Sequence, residues 1–239
     1  MEQYFTADYH GAPFQLFGPA HFGALGALLI LNFFLLQFRS AGEHAKRTVR
    51  WILLSAMWGA EITWHLWNIF NGLWSIQTVL PLHLCSVLIW LTGILLITKN
   101  QYLYEFTYFL GIGGAIQYLA TPDLGIYGFP HFRFFQTFTT HGLLLTCPIY
   151  LTAVEGMRPT WKSLLRVVVG INLYMIPVYL INSAIGSNYL MINAKPATTS
   201  LLDLLPDWPY YIIHMELIGL ATCLLLYLPF AVKDRRGLA

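Results

Sequence analysis

The sequence predicts an all-α polytopic membrane protein: a bundle of seven spanning helices in one domain over residues 1–239. Three observations carry that expectation. Hydrophobic residues make up 57% of the chain and charged residues only 10%, against roughly a quarter charged in a soluble domain. Seven apolar segments approach the length of about 20 residues that a spanning helix needs. With those segments drawn, eleven of the thirteen Lys and Arg residues share one side of the membrane. They are Arg39, Lys46, Arg47, Arg50, Lys99, Arg158, Lys162, Arg166, Lys233, Arg235 and Arg236, leaving only Arg133 and Lys195 opposite. Basic loops stay in the cytoplasm, so the N-terminus is expected outside, the C-terminus inside, and the protein in the cell membrane.

The first helix is expected near His21–Phe38, after the turn signal Gly18-Pro19. The twenty residues before it carry no Lys or Arg, and a secretory signal needs a basic leader, so the segment reads as a retained helix. A basic loop, Arg39–Arg50, leads to a second helix near Trp51–Phe70, which Asn71-Gly72 ends. The third begins at Pro81, whose missing N–H is not needed in a first turn, and runs to Thr98. The fourth covers Tyr102–Leu119, with Gly111, Gly113 and Gly114 permitting close approach of neighbouring helices. The fifth covers Phe134–Val154, the sixth Leu164–Ser183 and the seventh Pro209–Val232. Two long outer loops, Ala120–Arg133 and Ala184–Trp208, could cover a pocket.

Polar and ionisable residues inside these segments are costly and usually face a bundle interior or a wet cavity. Glu61, His65 and Asn68 recur at i, i+4, i+7, one face of a helix. His83, Cys85 and Ser86 open the third helix, Thr137, Thr140 and His141 mark the fifth, Asn172, Tyr179 and Asn182 the sixth, and His214 and Glu216 the seventh. At 1.5 Å per residue, most of them lie in the outer half, which predicts one polar cavity open or gated to the outside. The plain alternative is interhelical hydrogen bonding that only holds the bundle together. On a continuous helix, His83 and Cys85 project about 200° apart. A nucleophilic Cys85 would therefore need a base from another helix, His141 or His65, unless it is a small packed hydrophobe. Three or four of the histidines and glutamates could bind zinc, but no HExxH spacing occurs, and no metal or other cofactor is assigned. The outer-rim stretch Phe129-Pro130-His131-Phe132-Arg133 sets an imidazole and a cation among aromatics; Arg133 could meet a lipid phosphate or snorkel to the interface. Cys85, Cys147 and Cys223 all fall in apolar segments and suggest no disulfide framework. The formal charge of +2 is spread thinly over loop ends and gives no nucleic-acid surface.

Leu80-Pro81-Leu82-His83-Leu84-Cys85, Thr121-Pro122-Asp123 and His131-Phe132…Thr140-His141 resemble a family of bacterial integral membrane proteins, the YwaF-like family. The likeness covers nearly the whole chain, and its Pro-x-His-x-Cys stretch is the most specific part. That family looks distantly related to transmembrane protein 164. The resemblance implies a membrane acyltransferase that moves fatty acyl chains between phospholipids through a cysteine. In that relative's motif the cysteine directly precedes the histidine; Leu82 stands there in this chain, and His83 is the position that matches.

Two function classes follow. The first is a membrane enzyme, an acyltransferase or acyl hydrolase, acting on lipid from the outer leaflet. Its site would comprise His83, His141, Cys85, Glu61 and His65, with Asn68, His131, Arg133, Asn182, His214 and Glu216 holding a phospholipid or acyl substrate. The second is a transporter or ligand-binding membrane protein using the same cavity. A zinc-dependent lipid hydrolase is a third.

Overall fold

The computed structural model describes residues 2–195 and 201–235. Arg236 and part of the long loop before the last helix lie outside the described residues. Every regular element among them is helical. The order is α1 (Pro19–Leu36), α2 (Glu43–Phe70), α3 (Leu84–Thr98), α4 (Gln101–Phe106), a π turn (Thr107–Gly111), α5 (Ile112–Ala120), α6 (Phe132–Ala153), α7 (Trp161–Ile185) and α8 (Tyr210–Arg235). Because α4, the π turn and α5 run on without a break, the described residues form seven rods. Among the described residues, three helices are long and apolar enough to cross a membrane: Pro19–Ser40, counting a 3₁₀ turn after α1, Trp161–Ile185 and Tyr210–Arg235.

Local chemistry sets most boundaries. Pro19 opens α1, where its fixed φ suits a first turn. The Asn100 side chain accepts from the N–H groups of Tyr102 and Leu103 at 2.9 and 3.1 Å and caps α4. Thr160 and Ser163 form a reciprocal capping box on α7, and Gly186, at φ 68°, ends that helix in the left-handed conformation.

Several expected boundaries move, and two of the shifts bear on the site and its flanks. The stretch expected as a basic loop is helical from Glu43 onward; nothing after Gly42 breaks a helix, and Glu43 favours the first turn. α3 starts at Leu84 rather than Pro81. The chain before it is held by side chains instead: Tyr189 Oη accepts from the Leu80 N–H at 2.9 Å, and Tyr174 Oη donates to the Leu82 carbonyl at 3.0 Å. His83 is therefore the extended N-cap residue of α3, at φ −66° and ψ 149°. The 200° separation from Cys85 does not apply to it.

The main core joins α2, α3, α4, the π turn and α6 around Met57, Leu95, Tyr104, Phe109, Leu144 and Cys147, all fully buried. α6 is the hub, packing on α1, α2, α3 and α5. α7 and α8 pack on each other and meet this body through α4, the π turn and α5. The three glycines of the fourth rod serve three directions. A Cβ on Gly111 would lie 3.3 Å from Leu144 of α6, one on Gly113 3.0 Å from Thr222 of α8, and one on Gly114 3.6 Å from Cys85 Sγ of α3. The space left between the body and the α7–α8 pair is the candidate site.

Candidate functional site

A chamber of about 690 Å³ occupies that space, within the usual range for ligand sites of roughly 300–1,000 Å³. Its polar wall comes from the body. α2 gives Glu61 and Trp64, the start of α3 gives His83, Cys85 and Ser86, α5 gives Tyr118, and α6 gives Arg133, Gln136, Thr137, Thr140 and His141. Val167, Val168, Ile171 and Met175 of α7 and Leu217, Leu220 and Cys223 of α8 make the other side largely apolar, with Glu216 as the exception. Leu190, Met191 and Ile192 close part of the chamber from the loop after α7.

Cys85 is the second residue of α3. The helix dipole there favours an anionic thiolate, and the dry wall around it opposes one. A thiol attacks only as thiolate, so a base must stand nearby. His141 is held against the same helix as Cys85: its ring stacks on Tyr118 with centroids 3.8 Å apart and planes 10° from parallel, one turn along α5 from the glycine that Cys85 abuts.

The two chamber histidines have opposite hydrogen-bond settings. His141 Nδ1 lies 3.1 Å from the Thr137 carbonyl oxygen. A carbonyl can only accept, so Nδ1 carries the proton and Nε2 keeps a lone pair. His83 Nδ1 accepts from the Leu190 backbone N–H at 3.3 Å, so in the neutral ring Nε2 carries the proton and is a donor. The Leu190 segment is fixed from behind. Asn182 accepts from the Tyr189 N–H at 2.8 Å and donates to the Tyr189 carbonyl at 2.9 Å and to Asn193 Oδ1 at 2.8 Å. Tyr189 Oη donates to the Ile76 carbonyl at 2.8 Å, and its ring packs edge-on against His83.

Arg133 stands half-buried in the chamber wall, its guanidinium 3.6 Å from the centroid of the Trp64 ring. It donates to Gln136 Oε1. Among the described residues, the ion pairs engage Arg50, Arg158 and Arg166 with carboxylates but not Arg133. Glu61 is buried and stands 3.7 Å from His65 Nε2, while His65 Nδ1 accepts from Trp74 Nε1 at 3.3 Å. Glu216 accepts from Asn172 Nδ2 at 3.0 Å.

Six expected site residues thus share the chamber wall: His83, His141, Cys85, Glu61, Arg133 and Glu216. Five do not line it. His65 sits behind Glu61. Asn68 donates to the Trp64 carbonyl at 2.8 Å. His131 is fully buried, accepts from the Arg133 N–H at 3.1 Å, and has its other ring nitrogen 3.0 Å from the Thr6 carbonyl. Asn182 braces the Leu190 segment, and His214 Nδ1 lies 3.0 Å from the Tyr210 carbonyl. Tyr118, Trp64, Gln136 and the Leu190 N–H stand outside the set of residues expected at the site. The first three look like ordinary core aromatics and amides, and the last is a main-chain group with no side-chain signature. Among the described residues, no three His, Cys, Asp or Glu side chains converge as metal ligands.

No curated protein and no solved structure matches the chain. Residues 16–227 match the model of the TMEM164 family.

Proposed function

Because this membrane protein belongs to the TMEM164 family, we propose that its chamber performs acyl chemistry on phospholipid, with Cys85 as nucleophile and His141 as base. The observation that carries this reading is that Cys85, His141, His83 and Arg133 all line one chamber. In the proposed step, His141 Nε2 takes the Cys85 proton as Sγ attacks the ester carbonyl carbon. The His83 Nε2–H donates to the oxygen that becomes negative. The ester C–O bond breaks, and the glyceryl oxygen leaves with the proton from His141. A lysophospholipid hydroxyl then cleaves the thioester in an acyltransferase, and water does so in a hydrolase. Arg133 is suited to the headgroup phosphate, as a guanidinium presents paired donors to such oxygens.

The likeness to the bacterial YwaF-like proteins rests on the motif around His83 and Cys85 and belongs to the same proposal. So does the arrangement in the cell membrane: seven spans, N-terminus outside, C-terminus in the cytoplasm. The transporter alternative calls for a polar route through the molecule, but the buried carboxylates toward the other end are committed. Glu105 accepts from Arg166 at 2.6 and 2.7 Å, and Glu155 accepts from Arg50 and from Lys99. The zinc hydrolase alternative lacks a converged ligand set among the described residues.

The test is acyl exchange between labelled phospholipid and lysophospholipid in reconstituted vesicles. His141→Ala and His83→Ala are each expected to slow it by at least about 10²-fold. Undiminished exchange in both variants overturns the proposal.

A further inference from the structure

We propose that a groove on the membrane-facing side of α7, closed at one end by the start of α8, receives an acyl chain of the phospholipid whose ester lies in the chamber. This rests on the acyl-chemistry reading above. The groove encloses about 680 Å³. Leu173, Ile176, Tyr179 and Leu180 of α7 form its floor, and Trp208 and Ile212 stand at the α8 end. These side chains are apolar or aromatic, and all but the half-buried Ile212 are exposed, with Leu173 61% and Ile176 59% accessible.

Apolar surface on a membrane helix is covered by lipid in any case, so exposure alone selects nothing. A shared wall with the chamber is what singles out this groove. Val168, Met175, Ile192 and Ile212 line both spaces, so these four apolar side chains are the partition between groove and chamber. The hydrogen bond from Asn172 to Glu216 crosses the same boundary, as Asn172 lines the groove and Glu216 the chamber. Length fits as well. From Val168 to Leu180 the groove extends roughly 18 Å at 1.5 Å per residue, slightly more than half of a hydrocarbon core about 30 Å thick. The end of α7, the start of α8 and the start of α6 lie at one end of the bundle. The groove therefore holds a tail on the same side where Arg133 holds a headgroup.

The test uses the full chain in vesicles of phosphatidylcholine bearing a diazirine in one acyl chain. After irradiation, adducts on Leu173, Ile176 and Leu180 are expected several-fold above those on Ile30 and Phe33, which are as exposed on α1. Ile176→Trp, which fills the exposed floor, is expected to bring Leu173 and Leu180 down to the α1 level while leaving α1 unchanged. Equal labelling of α7 and α1 in the natural sequence, or labelling that Ile176→Trp does not move, overturns the groove. The two proposals fail separately. Acyl exchange without groove labelling leaves the chemistry and removes the groove, and groove labelling without acyl exchange keeps a lipid site and removes the chemistry.

Discussion

A neutral imidazole offers one donor and one acceptor, so fixing the partner of one nitrogen fixes the use of the other. His141 and His83 have their Nδ1 atoms satisfied by groups of opposite type, a carbonyl and an N–H. They are therefore not interchangeable. Removing the base with His141→Ala is expected to cost about 10²–10⁴-fold in exchange rate. Losing one oxyanion donor in His83→Ala is expected to cost about 10²–10³-fold. His83→Gln, which retains an N–H donor, is expected to recover part of that loss, whereas His141→Gln is not; rate measurements on the four variants check the pair. A separate residue-scale prediction concerns Glu155, beyond the end of α6. Burial pushes its carboxyl up, but hydrogen bonds from Lys99 and Arg50 outweigh that and hold it below the ordinary value of 4.5. A depressed carboxyl contributes stability that is complete above the unfolded value and is lost as pH falls through the folded one. Thermal unfolding in detergent should show Glu155→Gln lowering Tm at neutral pH, with the gap to the natural sequence closing in acid below that range. The polar residues that found the chamber were legible because ionisable groups in apolar segments are rare. His131 and Asn182 carry the same signature but spend their bonds on the Thr6 carbonyl and on Tyr189, partners that spacing along the chain does not display.

At the scale of elements, the seven rods were legible because apolar length and turn residues bound them. The start of α3 was not, since Tyr174 and Tyr189 claim the backbone groups that a helix from Pro81 would have used. That tertiary clamp also places His83, and it makes Asn182 a positioning residue that acts through the Leu190 segment. Asn182→Leu is expected to lower the rate of exchange more than it weakens lipid binding, as it loosens the N–H that sets His83; comparing kcat with KM checks this. The helix contacts themselves are tight. A Cβ on Gly93 would fall 2.0 Å from the Trp58 indole nitrogen, and one on Gly142 2.3 Å from a Leu28 methyl. Gly93→Ala and Gly142→Ala should each destabilise the protein by about 1–3 kcal/mol, read as a drop in Tm, with Gly59→Ala on the open face of α2 as the silent control.

Across the whole molecule, the body and the α7–α8 pair divide the labour. The body carries the polar wall, and the pair carries the apolar one and the groove. Hydropathy along the chain distinguishes three long apolar helices, while α2 and α6 mix charged and polar residues into their length because they face the chamber and the core. Reporter fusions at the two termini are expected to place the N-terminus outside and the C-terminus in the cytoplasm; the reverse result would put the chamber on the cytoplasmic leaflet. The central claim is that Cys85 carries the acyl group, and intact-mass measurement of the protein after incubation with phospholipid tests it most directly. One acyl mass added to the natural sequence and absent from Cys85→Ser is the predicted result. An unmodified natural protein, together with full acyl exchange by Cys85→Ser, would contradict it.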